Sequence, residues 1–126
     1  MVILDTCALI ELCKPAPTFS SRVYRLIKEA DVVILSVSFA EIACKIKVGK
    51  LMMPIPVEVL FHTISQISNF SIADVSVPDW LDSVALDWPG NQDPADRLII
   101  AHARRLHTSV VSTDGKMKRF YKKVIW

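Results

Sequence analysis

The sequence predicts one α/β domain over residues 1–126, with helices packed on a mainly parallel central sheet. Three observations carry that prediction. Short apolar runs at Met1–Leu4, Val32–Leu35 and Ser109–Ser112 read as strands, the first two of them covered on both faces. Segments with three- and four-residue apolar spacing lie between them, as in Val23, Leu26, Ile27 and Ala30. A length of 126 residues suits one core and is too short for two.

Met1–Leu4 delivers Asp5 at its C-terminal end, and Thr6 stands where it could cap a helix over Ala8–Cys13 that Pro15 and Pro17 break. Ser20 or Ser21 starts a second helix that runs to about Ala30, and Val32–Leu35 is the second strand. Ser38-Phe39-Ala40-Glu41 has the spacing of a capping box, heading a helix with the stripe Phe39, Ile42, Ala43 and Ile46 that ends at Gly49. Met52–Pro56 is a linker, Pro56 opens a helix to about Ile67, and Phe70–Val75 is a third strand. Pro78 opens a short helix that closes near Trp88-Pro89-Gly90, and Gly90-Asn91-Gln92 is a loop.

The next helix has several start signals. Asp93 can serve as N-cap, Pro94 suits the first helical position, and Asp96 stands where a capping-box acid would. Asp96 also shares a face with Ile99, Ala103 and Leu106, so an acid heads a stripe that should be buried. The helix ends near His107; Ser109–Ser112 then delivers Thr113 and Asp114, and Gly115 permits a sharp turn. Lys116–Tyr121 reads as one helical turn and Val124-Ile125 as an edge strand.

Apolar residues make up 52% of the chain and mean hydropathy is +0.36, which leaves surplus apolar surface for a homodimer contact or a bound protein. Charges interrupt every apolar run well short of the ~20 residues of a membrane span. Asp5 and Glu11 stand where a signal peptide needs a basic start and a clean apolar run, so the cytoplasm is the expected location. Cys7, Cys13 and Cys44 lack metal or disulfide spacing and read as small buried hydrophobes.

Charge is segregated along the chain, with net +2 over residues 1–53, −7 over 54–96 and +7 over 97–126. The basic quarter is either a set of solvated helix faces or a phosphate-contacting patch drawn from Arg104, Arg105, Lys116, Lys118, Arg119, Lys122 and Lys123. Arg97 joins Arg104, Lys116, Lys118 and Arg119 as the candidate phosphate contacts. Trp80, Trp88 and Trp126 could stack on bases, but core or interface packing is the simpler reading for at least two of them.

Asp5 and Asp114 follow strands, while Asp96 and Glu41 fall in the first turns of helices that begin at the same edge. In such sheets ligands bind outside the carboxyl ends of the strands. Four converging carboxylates repel one another unless a divalent cation balances them, and oxygen-only ligands favour Mg²⁺ or Mn²⁺. Each acid also has a local explanation: Glu41 in a capping box or paired with Lys45, Asp96 at a helix dipole, Asp114 in a turn, Asp5 as a cap. Those explanations do not account for two apolar strands that both deliver an aspartate.

The chain resembles the PIN-domain nucleases, specifically the VapC-like toxin ribonucleases of bacterial and archaeal toxin–antitoxin pairs. The resemblance runs through Ile3-Leu4-Asp5-Thr6, Ser38-Phe39-Ala40-Glu41-Ile42-Ala43, Lys47-Val48-Gly49-Lys50-Leu51, Asp93-Pro94-Ala95-Asp96-Arg97-Leu98-Ile99-Ile100-Ala101, Ser112-Thr113-Asp114 and Val124-Ile125-Trp126, covering essentially the whole chain. It implies a three-layer α/β/α fold and a dimeric, Mg²⁺- or Mn²⁺-dependent endoribonuclease whose groove a cognate antitoxin occupies. The family's metal-binding acids fall on Asp5, Glu41, Asp96 and Asp114. Asp93 matches a further acid read as helix-capping, and Thr6 and Thr113 match positions that often carry a hydroxyl near the site. Ala95 stands where the family commonly has a bulky aromatic, and Asn91-Gln92 where it often has His or Lys, departures that bear on substrate preference more than on chemistry.

The expected reaction is hydrolysis of an RNA phosphodiester by metal-activated water, leaving, by the resemblance, 5′-phosphate and 3′-hydroxyl ends. Asp5, Asp96 and Asp114 would hold the ion, and Glu41 would bind it or orient the water. Single-stranded segments or tRNA loops suit an acidic pocket beside a basic rim. The alternatives are metal-independent cleavage by His62, His102 and His107, phospho-aspartate chemistry, and a catalytically silent RNA- or protein-binding module. Mid-helix and helix-end positions make the histidines structural, Cys7 stands where phospho-aspartate chemistry of the haloacid-dehalogenase kind needs a second acid, and a silent module is expected to lack an acid that this chain retains.

Overall fold

The computed structural model describes residues 1–126. Five strands, β1 (Val2–Leu4), β2 (Val32–Leu35), β3 (Phe70–Ala73), β4 (Ser109–Val111) and β5 (Val124–Ile125), form one sheet in the order β3-β2-β1-β4-β5. Every pairing is parallel, with Leu4 level with both Ile34 and Val111. Seven helices connect the strands: α1 (Thr6–Leu12), α2 (Ser21–Glu29), α3 (Ser36–Lys47), α4 (Val57–Ser65), α5 (Val77–Ala85), α6 (Pro94–Arg105) and α7 (Gly115–Phe120). No helix is long and apolar enough to cross a membrane.

Alternation along the strands divides the apolar side chains between two cores. Val2, Leu4, Val32, Ile34 and Val111 face one side, against Ala8 and Leu9 of α1, Val23 and Ile27 of α2, Ile42 of α3 and Leu60 and Ile64 of α4. Ile3, Val33, Leu35, Val110 and Val124 face the other, against Leu98, Ile99, Ile100 and Ala103 of α6, Met117 of α7, and Trp88. The result is the expected three-layer α/β/α arrangement. From β1 the chain steps outward to β2 and β3, then returns through α5 and α6 to place β4 on the other side of β1. The order therefore reverses between β1 and β4, where an open crevice forms outside the strand ends.

Several boundaries differ from the sequence reading. Asp5, not Thr6, is the N-cap of α1, its Oδ1 accepting from Ala8 N at 2.7 Å. α3 begins at Ser36 directly off β2 with no side-chain cap, so Ser38 and Glu41 lie inside the helix and form no capping box. Within its predicted stripe Ile42 is buried, but Ala43 and Ile46 are exposed. Likewise Leu106 is exposed beyond the last turn of α6, whereas Ile99 and Ala103 of the same row are buried. Cys7 and Cys44 face outward and Cys13 is half-buried, so none of the three is a core residue.

Candidate functional site

Asp5 lies at the crevice between β1 and β4 because the parallel ladder carries β1 straight to it: its backbone N–H still donates to Val111 O at 3.2 Å. Only 3% of its surface is exposed. Desolvation pushes its carboxyl up to about 6, against the stabilising bonds from Ser112 and Ala8 and with the charges of Glu41 and Asp114 adding to the rise. Asp96, in the first turn of α6, is also pushed up to about 6 by desolvation, opposed by the Asn91 bond and reinforced by Asp93, Asp114 and Glu41. The charges of all four predicted acids therefore act on this one region.

Glu41 and Asp114 are held by different means. Glu41 projects from α3 toward α1, where Thr6 Oγ1 donates to its Oε2 at 2.7 Å, and Lys45 Nζ stands 3.1 Å from its Oε1. Ser38 Oγ lies 3.1 Å from the same threonine hydroxyl. Asp114 is the N-cap of α7, its Oδ1 accepting from Lys116 N at 2.6 Å and Met117 N at 3.1 Å. Its own N–H donates to Ser112 Oγ at 2.9 Å, so one buried serine hydroxyl serves both Asp5 and Asp114. Asp93 is the N-cap of α6 and accepts from Asp96 N at 3.1 Å. Thr113, in contrast, is exposed.

The donor set suits a hard dication: it is all oxygen, two of its acids are short of solvent, and Asp96 and Asp114 each engage one carboxylate oxygen with protein N–H groups. As the side chains stand, no three of them close on a common point to hold an ion. Asp114, at the start of α7, and Glu41, on α3, lie near enough to both Asp5 and Asp96 for their charges to raise those two carboxyls. Cys7 lies near these acids; desolvation and the Asp5 carboxylate push its thiol up to about 11, which disfavours the thiolate.

Arg97, expected as an RNA contact, has its guanidinium taken up within the protein. Its guanidinium donates to the carbonyls of Ser83, Val84, Leu86, Trp88 and Asn91 at 2.6–3.3 Å, which ties the end of α5 and the following loop to α6. Arg105 is likewise engaged, with Asp79 and Asp82 of α5, and Lys123 donates to His107 O. Lys116 and Arg119 line a cleft of about 250 Å³ with Trp88, Gly90 and Phe120, beside Asp114. Lys118 is exposed on α7, and Arg104, exposed over the Phe120 ring, lies roughly 12 Å along the axis of α6 from Asp96. Trp88 stacks on Phe120 at 4.6 Å and is buried, Trp126 packs on Phe19, and Trp80 is exposed on α5.

The histidines do not meet. His62 sits on α4 over one face of the sheet, whereas His102 sits on α6 over the other, 3.7 Å from Asp79, with burial holding it neutral. Sequence reasoning quoted Ser38, Asn91 and Ser112 within motifs but missed their roles as buried polar partners of Thr6, Asp96 and Asp114.

The PIN domain family model matches residues 2–123, and the chain belongs to that family. Among solved structures it is similar to FitAcB from Neisseria gonorrhoeae, at 21% identity and TM-score 0.67, covering 100% of this chain and 97% of that one. It is also similar to a toxin–antitoxin complex from Klebsiella pneumoniae, at 18% identity and TM-score 0.65, covering 100% and 97%. FitAB bound to a DNA fragment matches at 20% identity and TM-score 0.65, covering 100% and 94%. No curated protein sequence matches the chain.

Proposed function

We propose that this PIN domain is a Mg²⁺- or Mn²⁺-dependent endoribonuclease that acts in the cytoplasm as the toxin of a toxin–antitoxin pair. The observation that carries the reading is the pair Asp5 and Asp96, two desolvated carboxyls raised to about 6 at the crevice where the strand order reverses. Ionised without a cation, each is destabilised by desolvation and by the charges of Glu41 and Asp114, which makes them suited to holding one.

Asp5, Asp96 and Asp114 would hold the ion. When bound, it would polarise the phosphoryl oxygen and make water a stronger nucleophile. Glu41, which Thr6 and Lys45 orient, would align that water and take its proton. Lys116 and Arg119, in the cleft beside Asp114, would hold an RNA phosphate next to the scissile one, and Arg104 and Lys118 would contact flanking backbone.

Two apolar surfaces suit partners. Ala43, Ile46, Leu51, Met53, Ile55 and Val57 line a groove of about 670 Å³ on the helix that carries Glu41, a setting for an antitoxin segment. The similar structures that include toxin–antitoxin complexes support that partner. Val77, Leu81 and Val84 form an exposed stripe on α5, 65–76% exposed, suited to a second copy of the chain.

Incubation of purified protein with total RNA and Mg²⁺ should produce discrete cuts with 5′-phosphate ends. Cleavage should disappear in EDTA and in Asp5→Asn, with the fold retained. Activity that persists in either condition sinks the metal mechanism. RNA binding without cleavage in Mg²⁺ or Mn²⁺ would instead identify a silent RNA-binding module.

A further inference from the structure

Asn91 is buried between exposed Gly90 and Gln92, and all its polar atoms are engaged. Its Nδ2 donates to Asp96 Oδ2 at 2.8 Å and its Oδ1 accepts from Asp93 N at 2.9 Å. Its carbonyl accepts from Arg97 Nη1 at 2.8 Å, and its N–H donates to Trp88 O at 3.4 Å. The amide can face only one way: Asp93 N is solely a donor, so Oδ1 must face it and Nδ2 must face the carboxylate. The five Arg97 bonds then hold the surrounding backbone in place.

Asp96 is thereby left with one capped oxygen, Oδ2, and one, Oδ1, that takes no protein hydrogen bond. A carboxylate in that state presents Oδ1 to a cation first: Oδ2 keeps a second lone pair, but the amide fixes the rotation of the carboxylate and competes for that oxygen, so ligation through both is disfavoured. Mg²⁺ takes six ligands in near-ideal octahedral geometry and binds carboxylates through single oxygens, whereas Ca²⁺ takes six to eight and readily accepts both oxygens of one carboxylate.

Resting on the reading that these acids hold a dication, we propose that Asn91 is a positioning residue that biases Asp96 toward single-oxygen ligation, so that the site prefers small octahedral ions, Mg²⁺ or Mn²⁺, over Ca²⁺. The preference is set by a neutral side chain, because an amide that donates to one carboxylate oxygen leaves the charge for the ion and removes only the geometric freedom.

The test is a thermal-shift titration of the full chain with MgCl₂ and with CaCl₂, which reads occupancy without cleavage. Wild type should saturate at lower Mg²⁺ than Ca²⁺. In Asn91→Ala the Mg²⁺ affinity should fall about tenfold while the Ca²⁺ affinity holds or rises. Asn91→Ser provides a second variant should the alanine protein fail to fold: its hydroxyl can still accept from Asp93 N but is one bond too short for Asp96. A ratio of the two affinities that stays at the wild-type value in the folded variant overturns the role of Asn91 alone. A wild-type protein that shifts with neither ion overturns the metal site as well.

Discussion

Thr6 Oγ1 donates a 2.7 Å hydrogen bond to Glu41 Oε2, so the first turn of α1 orients an acid 35 residues away on α3. The threonine is buried, and its place in the first turn follows from Asp5, the cap that starts the helix at the strand end. Cap and acid partner are thus adjacent residues with separate duties.

Thr6→Val keeps the shape of the side chain and deletes that bond. Chemical denaturation should show a loss of about 1 kcal/mol. Cleavage should fall about tenfold, because Glu41 keeps Lys45 but loses the group that aims it. Full activity in the valine protein would remove Glu41 orientation from the mechanism.

The raised carboxyls make a pH prediction for the metal-free protein. A group whose folded pKa is about 6 against 3.8 in the free acid favours folding below 3.8, and that contribution is lost as pH rises through 6. Unfolding in EDTA should therefore show stability falling between pH 4 and 7, by on the order of 2 kcal/mol from Asp5. The Asp96 share is smaller, because water reaches and screens it. Asp5→Asn retains a capable N-cap and should flatten this limb while abolishing cleavage. An unchanged slope in that variant would show that the acid is not desolvated.

Arg97→Ala separates a clamp from a nucleic-acid contact. Five carbonyls lose their donor, so stability should drop by on the order of 3 kcal/mol and the 86–92 loop should become protease-sensitive. RNA affinity, measured in an Asp5→Asn background to prevent cleavage, should not change beyond about twofold. A loss of affinity with unchanged stability would restore Arg97 to the RNA surface.

The exposed α5 stripe predicts self-association. Light scattering should give the mass of two copies for wild type and one for Val84→Glu, a position 76% exposed where a charge costs the monomer nothing. Equal masses for both proteins would place the partner surface elsewhere.

The sheet was legible because its strands are short apolar runs, and the need to bury both faces leaves few other structures for Val32–Leu35. Local signals also placed the cap at Asp93 and narrowed another to Ser20 or Ser21, of which Ser20 is the cap, each with its partner N–H three residues along the same chain. The same rule failed at Ser38-Phe39-Ala40-Glu41. There the helix had already begun at Ser36, and the glutamate found a threonine from another element. A charge count likewise grouped Arg97 with Lys116 and Arg119, because it does not register whether a guanidinium meets solvent or five carbonyls.

The sequence by itself determined the α/β architecture, the delivery of Asp5 and Asp114 at strand ends, and the position of Asp96 at a helix start, since periodicity and capping act over a few neighbouring residues. Only the tertiary structure decided which carboxylates are desolvated, which basic groups remain free, and that Ser112 and Asn91 hold Asp5, Asp114 and Asp96 in place. Burial and side-chain hydrogen bonds between separate elements depend on distances that a one-dimensional pattern does not contain.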